Sequence, residues 1–264
     1  MSAHAKRLGE LAWSQPPISG APPTPRSGHS MTVLEDTAVV FGGCGVTTDG
    51  QPEVFDETWV LSLRSEPMRW EKLAAEACRT APSKRWRHTA TRLPLSEGGA
   101  NGGGDSILIF GGKCRNERYN DVHVFHAGRR GSEWSARECV GMAPSPRSHH
   151  TASLVSISDD NDDNGDNGYT AENAETDNTP VGARPRRTPP HQRLFVIGGF
   201  GGAGSRDFLM DVHVLELSTW SWWRAEDVRG PPPSPRSDHC VCVSGEKLIL
   251  SGGRTWAAGK RPPS

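Results

Sequence analysis

The side chains most able to do chemistry crowd into Pro-Arg-Ser-Asp-His-Cys, residues 235–240. Asp and His beside a Ser or Cys nucleophile are the parts of a hydrolytic triad, and His with Cys is a zinc-ligand vocabulary. Cys240 and Cys242 lie two apart, so a strand would turn both to one face. The other cysteines, 44, 78, 114 and 139, form no C-x-x-C pair, and no second Cys/His pair has a spacing that completes a zinc site. No phosphate loop, H-E-x-x-H or G-x-S-x-G sequence is present. The glycine-rich 198–204 (GGFGGAG) opens no helical pattern and is not read as a phosphate loop.

What positions the Arg and His of 235–240 is a repeat. The phrase R-x-x-H occurs at Arg26–His29, Arg85–His88, Arg147–His150 and Arg236–His239. A proline-rich approach precedes each copy. An apolar run follows each and ends in a glycine pair: Gly42-Gly43, Gly111-Gly112, Gly198-Gly199 and Gly252-Gly253. Trp13, Trp70, Trp134 and Trp222 stand 13 to 15 residues ahead of the four arginines. A further run lies between the glycine pair and the next Trp: TWVLSL (58–63), DVHVFH (121–126) and DVHVLEL (211–217). Its valines share one face, with His123 and His213 on the other. No segment sustains a helical period, so one unit is four short strands and the chain is all-β. The Asp and Cys of 235–240 occur in one copy only, whereas the Arg, the His and the prolines recur. Histidines at equivalent repeat positions are spread around the assembly, which favours a structural role over metal ligation.

Glycine pairs after an apolar strand, followed by a spaced Trp at a period near 50, resemble the kelch repeat of β-propellers. The resemblance covers residues 10–254. It implies a β-propeller domain of four-stranded kelch blades: three complete, 26–73, 85–138 and 147–226, and a partial fourth, 236–253. A strand at 10–15 would belong to a preceding or closing blade. Such a count gives an incomplete four-blade ring or an open arc, and the arc is the expectation. Its raw blade edges would be open to self-association. Two inserts lengthen first hairpins, at 93–105 and at 156–192. The second carries eight acidic residues and no Lys or Arg across 159–177, then Arg184, Arg186, Arg187 and Arg193 without an acid. It has almost nothing to bury and is expected to be disordered, as is the tail 255–264.

Enzymes occur on kelch scaffolds. Copper-radical oxidases of the galactose-oxidase kind need two tyrosine ligands, yet this chain has only Tyr119 and Tyr169, the latter in the acidic insert. Iron-dependent specifier proteins need Glu, Asp and His clustered at one mouth, and no matching motif is found. A metal-dependent enzyme and a regulatory fragment of a larger kelch protein are therefore the alternative readings. The expectation is no catalytic residue, no metal and no cofactor.

The formal charge of −1 offers no electrostatic case for nucleic acid or an anionic membrane. No apolar run serves as a signal-peptide core or approaches a membrane span. Reduced cysteines in a cytoplasmic protein follow as the default. By the resemblance, the chain is a non-catalytic scaffold that presents loops to a protein partner. The candidate loops are 44–56, 113–120 and 200–210. Within them Arg115, Arg118, Tyr119 and Arg206 are residue types that anchor interfaces. Thr24, Ser145 and Ser234 precede prolines and are secondary candidates for phosphorylation. With Trp13 as the first marker, no BTB-type or F-box module is expected ahead of the repeats.

Overall fold

The computed structural model describes residues 13–94, 105–128, 131–157, 191–202, 207–226 and 229–256. Arg206, the glycine-rich 95–104, residues 158–190 of the long insert and 257–264 lie outside the described residues, and so do the disorder expectations placed there.

Three antiparallel sheets of one plan follow each other along the chain. The first blade runs Ser30–Leu34, Thr37–Phe41, Thr58–Ser62, Met68–Lys72. The second runs Thr89–Leu93, Ser106–Phe110, Val122–His126, Glu133–Arg137. The third runs Thr151–Ile157, His191–Gly201, Asp207–Glu216, Ser221–Arg224. The fourth has two strands, Ser237–Ser244 and Lys247–Arg254. Trp13–Gln15 are irregular; Ile18–Ser19 is the first described strand and pairs in parallel with Met68–Arg69 on the outer edge of blade one. Val140–Gly141 does the same to Ser221–Trp222 of blade three. The chain is all-β, an incomplete propeller.

The second strand of a blade reads as a continuous apolar run because both of its faces are covered. Ile107 and Ile109 pack against Leu34, Val39 and Phe41 of blade one. Leu108 and Phe110 turn the other way, onto Leu194, Val196 and Leu215 of blade three. Trp134 fills the first seam, its ring 5.0 Å from that of Phe41, and its buried Nε1 donates to Thr58 Oγ1 at 3.0 Å. Trp222 fills the second seam against Phe110. A large flat side chain suits this place because it covers much apolar area and still satisfies its N–H.

Blade four keeps the apolar sequence of its second strand and loses the cover. Lys247–Arg254 is exposed or half-buried throughout, and Ile249, which takes the place of Leu108, is 53% exposed. No DVHV-type strand lies beside it among the described residues. Among the described residues that face of blade four is uncovered.

Removing the seam-filling indole should therefore cost more than removing its repeat equivalent on the open side of blade one. Trp134→Ala is expected to lower unfolding stability in urea by about 3–5 kcal/mol. Trp70→Ala, at a half-buried position, is expected to lose far less in the same titration.

Candidate functional site

The conserved plan of the repeats converges on the arginine of each R-x-x-H phrase. The Arg85 guanidinium is fully buried and holds Asp121 with two bonds, Nη1 to Oδ1 at 2.7 Å and Nη2 to Oδ2 at 2.8 Å. It also donates to the Gly111 carbonyl at 3.0 Å and to the Ser83 carbonyl and hydroxyl, and it lies 4.4 Å over the Tyr119 ring. Arg147 repeats the set with Asp211, Gly198 and Ser145. Arg26 uses Glu57, Gly42 and Thr24, over Phe55. Arg236 reaches Ser234 and Gly252 and meets no carboxylate among the described residues. Burial alone would raise the Asp121 and Asp211 carboxyls. Hydrogen bonds from the arginine and from His123 or His213 outweigh it and hold both well below the usual carboxylate range.

The arginine side chain belongs to its own blade, while its backbone belongs to the blade before. Gly43 N–H donates to the Arg85 carbonyl at 2.8 Å, Gly112 to Arg147 at 2.9 Å, and Gly199 to Arg236 at 2.9 Å. The preceding glycine sits where the blades touch: a Cβ on Gly42 would lie 2.5 Å from the Arg85 carbonyl, at a φ of +66°. A side chain there is excluded by contact as well as by backbone conformation.

The histidines sew the same seams. His88 Nε2 bonds Ser30 Oγ at 2.9 Å, His150 bonds Thr89 Oγ1 at 3.0 Å, and His239 bonds Thr151 Oγ1 at 3.0 Å. Each pairing resembles a base with a nucleophile. A working dyad needs a third group to orient the imidazole, but among the described residues the buried Nδ1 atoms of His88 and His150 have no partner. Burial, with the neighbouring arginine charge second, lowers His88 to about 3 and pushes His150 well below its ordinary value. These are neutral structural rings. In the stretch that looked catalytic, His239 turns to Thr151 while Asp238 pairs with Arg254 at 2.8 Å and Arg87 at 3.5 Å. Cys240 and Cys242 are exposed free thiols. Among the described residues no three His, Cys, Asp or Glu side chains group to hold a metal ion.

The third position of each phrase is left-handed: Gly28, Arg87, His149 and Asp238 have φ of 63°, 56°, 59° and 56°. This turn sends a ladder of backbone bonds around the axis, from Arg87 N to Gly28 O, His149 N to Arg87 O and Asp238 N to His149 O, at 2.8, 3.1 and 3.0 Å. The ladder rims a cavity of about 300 Å³ lined by residues of all four phrases.

Of the loop residues singled out by type, Arg115 is exposed at the tip of the hairpin Lys113–Cys114/Glu117–Arg118. Arg118 is half-buried with its guanidinium 5.0 Å over Phe200, and Tyr119 is half-buried beneath Arg85. Arg206 lies outside the described residues. Sequence reasoning passed over Glu57, Asp121 and Asp211, the hydroxyls of Ser30, Thr89 and Thr151, and the left-handed third position. The aspartates were signalled by the repeated DVHV, in which Asp121 and Asp211 also orient His123 and His213. Trp59 Nε1 takes the same role toward Glu57.

Comparison with known proteins places the chain in a family. Residues 2–160 match the KLHDC2/KLHL20/DRC7 Kelch-repeats domain. The chain belongs to the kelch-repeat family. It is 31% identical over 255 residues to the flagellar outer-arm dynein alpha chain of Chlamydomonas reinhardtii, covering 92% of this chain and 4% of that protein. It is 27% identical to kelch domain-containing protein 3 of Bos taurus (91% of this chain, 51% of the relative). It is also 27% identical to the Rab9 effector protein with kelch motifs of Rattus norvegicus (92% and 53%). The chain thus spans about half the length of these two kelch relatives. A chain of the RAG complex solved by cryo-electron microscopy shares the fold, with a TM-score of 0.58 at 16% identity over 94% of this chain and 65% of that one.

Two measurements check the site's energetics. An imidazole neutral in the fold, and free to protonate near 6.5 once unfolded, gives the unfolded state the greater proton uptake below that pH. Stability should be full above about pH 6.5 and fall as pH drops toward 3, by roughly 1 kcal/mol per pH unit for each such ring. His88→Gln, which can still bond Ser30, should flatten that slope in urea titrations. Arg147→Met, leaving Asp211 partly buried without its partner, should cost about 3–5 kcal/mol. Arg236→Met should stay within about 1 kcal/mol, since no carboxylate is stranded.

Proposed function

We propose that this kelch chain is a non-catalytic scaffold that binds a protein partner through the loops between second and third strands. Support comes from how its polar chemistry is used. The buried arginines and their carboxylates are taken up in tying strands within a blade, the imidazoles in tying one blade to the next, while the 113–118 hairpin carries Arg115 into solvent. Rigid strands with variable loops are the usual division of labour in recognition domains. One kelch relative is named for acting as a Rab9 effector. A cytoplasmic setting accords with six free thiols.

The observation that carries the reading is the exposed Arg115 hairpin on a framework fixed from below by Arg85 and Tyr119. Affinity capture from lysate, comparing the chain with an Arg115→Ala, Arg118→Ala, Arg206→Ala variant, tests it. The variant should lose at least about tenfold of a specifically captured protein, a hot-spot-sized effect, while keeping its unfolding midpoint. Undiminished capture would refute the choice of face. Stoichiometric copper or iron in the purified protein would refute the non-catalytic reading.

A further inference from the structure

Blade four is entered through Arg229-Gly230-Pro231-Pro232-Pro233-Ser234-Pro235, residues that belong to no strand and are all exposed. Each proline fixes its own φ at about −65° and steers the residue before it to extended backbone. The composition of 231–235 therefore favours polyproline II, a left-handed helix of roughly three residues per turn. Pro232 and Pro235 fall on one edge of that helix, and Pro233 on another.

The other blade entries show which edge meets the blade. Counted back from the repeat arginine, Pro233 stands in the place of Pro82 and Pro144, which are buried at the entries to the complete blades two and three. Pro232 stands in the place of Ala81 and Ala143, and Pro235 in that of Lys84 and Pro146, all of them exposed or half-buried. Val140 takes the place of Arg229 and is 66% exposed, even with its backbone paired to the outer strand of blade three. The next residue is a left-handed glycine in both linkers, with φ of 85° at Gly141 and at Gly230, so the turn beside Arg229 belongs to the repeat. Arg229, Pro232 and Pro235 thus occupy the places that a blade entry leaves to solvent.

The far end of the run is pinned. Arg236 donates from Nε to the Ser234 carbonyl and from Nη2 to its hydroxyl, both at 3.0 Å. Arg85 and Arg147 place the same clamp on Ser83 and Ser145. A segment already held in an extended shape has less entropy to lose on docking.

We propose that 229–235 is a docking segment for a partner domain of the SH3 kind. Aromatic rings of the partner's groove pack on Pro232 and Pro235, and carboxylates at one end of the groove pair with Arg229. This contact is separate from the Arg115 hairpin and does not depend on it. The entry to blade one supplies an internal control: it carries Pro22 and Pro25 at the same spacing, with Ser19 where Arg229 would stand.

The test titrates the 264-residue chain into an isotope-labelled SH3 domain that selects Arg-x-x-Pro-x-x-Pro peptides, read by NMR shifts of its groove residues. Saturable binding with shifts confined to the aromatic groove is expected. Pro232→Ala, Pro235→Ala and Arg229→Glu should each weaken it by about tenfold or more, with the unfolding midpoint in urea unchanged. Pro233→Ala and Pro22→Ala should each leave it within about twofold. Arg229 lies outside the proline run, so its variant decides the matter even where a proline variant lowers the midpoint. No saturable binding, a loss in Pro233→Ala equal to that in Pro232→Ala, a loss in Pro22→Ala, or binding indifferent to Arg229→Glu would each overturn the proposal. Tighter binding to a WW domain in a parallel titration would overturn the choice of partner.

Discussion

The structure depends on an arginine that is shared between two blades. The side chain of Arg85 is bonded wholly within blade two, to Gly111 and Asp121, while its peptide group is bonded to blade one, through Gly43 and Phe55. Neither set is optional. A buried guanidinium is tolerable only with its donors satisfied, and its acceptors are Ser83, just before it in the chain, and the ends of the second and third strands. Placing the cation thus fixes where those strands stop, and the peptide on either side of it fixes where the next blade begins.

From that constraint the rest follows in order. The Gly42-Gly43 pair is small because the Arg85 carbonyl presses on it, and the histidine three residues on is carried into the seam, where burial keeps it uncharged. The left-handed third residue turns the chain between those two anchors and leaves its own amide for the blade ahead. Apolar strands and tryptophans then fill the wedge that the polar bonds have spaced. Residues of catalytic type are numerous in this protein, and in the seams they serve as hydrogen-bond partners between strands and blades. The loops anchor the next blade through Phe55 and Tyr119 and leave their tips, Arg115 among them, for the proposed recognition.

Much of the fold was legible in the sequence. Four copies of R-x-x-H with glycine pairs and spaced tryptophans identify four blade openings, and the period-two DVHV runs identify strands. The carboxylates were harder to see. Glu57, Asp121 and Asp211 lie 31, 36 and 64 residues from the arginines they bind, because loops of different length intervene. The left-handed third position was hidden too: its four occupants are Gly, Arg, His and Asp, and only the first advertises such a conformation. Tyr119, chosen by type as an interface residue, is half-buried under the Arg85 guanidinium, a contact its type does not advertise.

The sequence by itself determined the repeating unit, its strand order and the polar residues each unit would have to bury, because period and spacing are local properties. Only the tertiary structure decided which polar groups meet, since partners on different strands and blades are brought together by seams that no spacing records. It also decided that Pro-Arg-Ser-Asp-His-Cys is the junction between blades three and four. Among the described residues its Arg, Asp and His turn to Gly252, Arg254 and Thr151, and its Cys to solvent, so these four side chains do not converge.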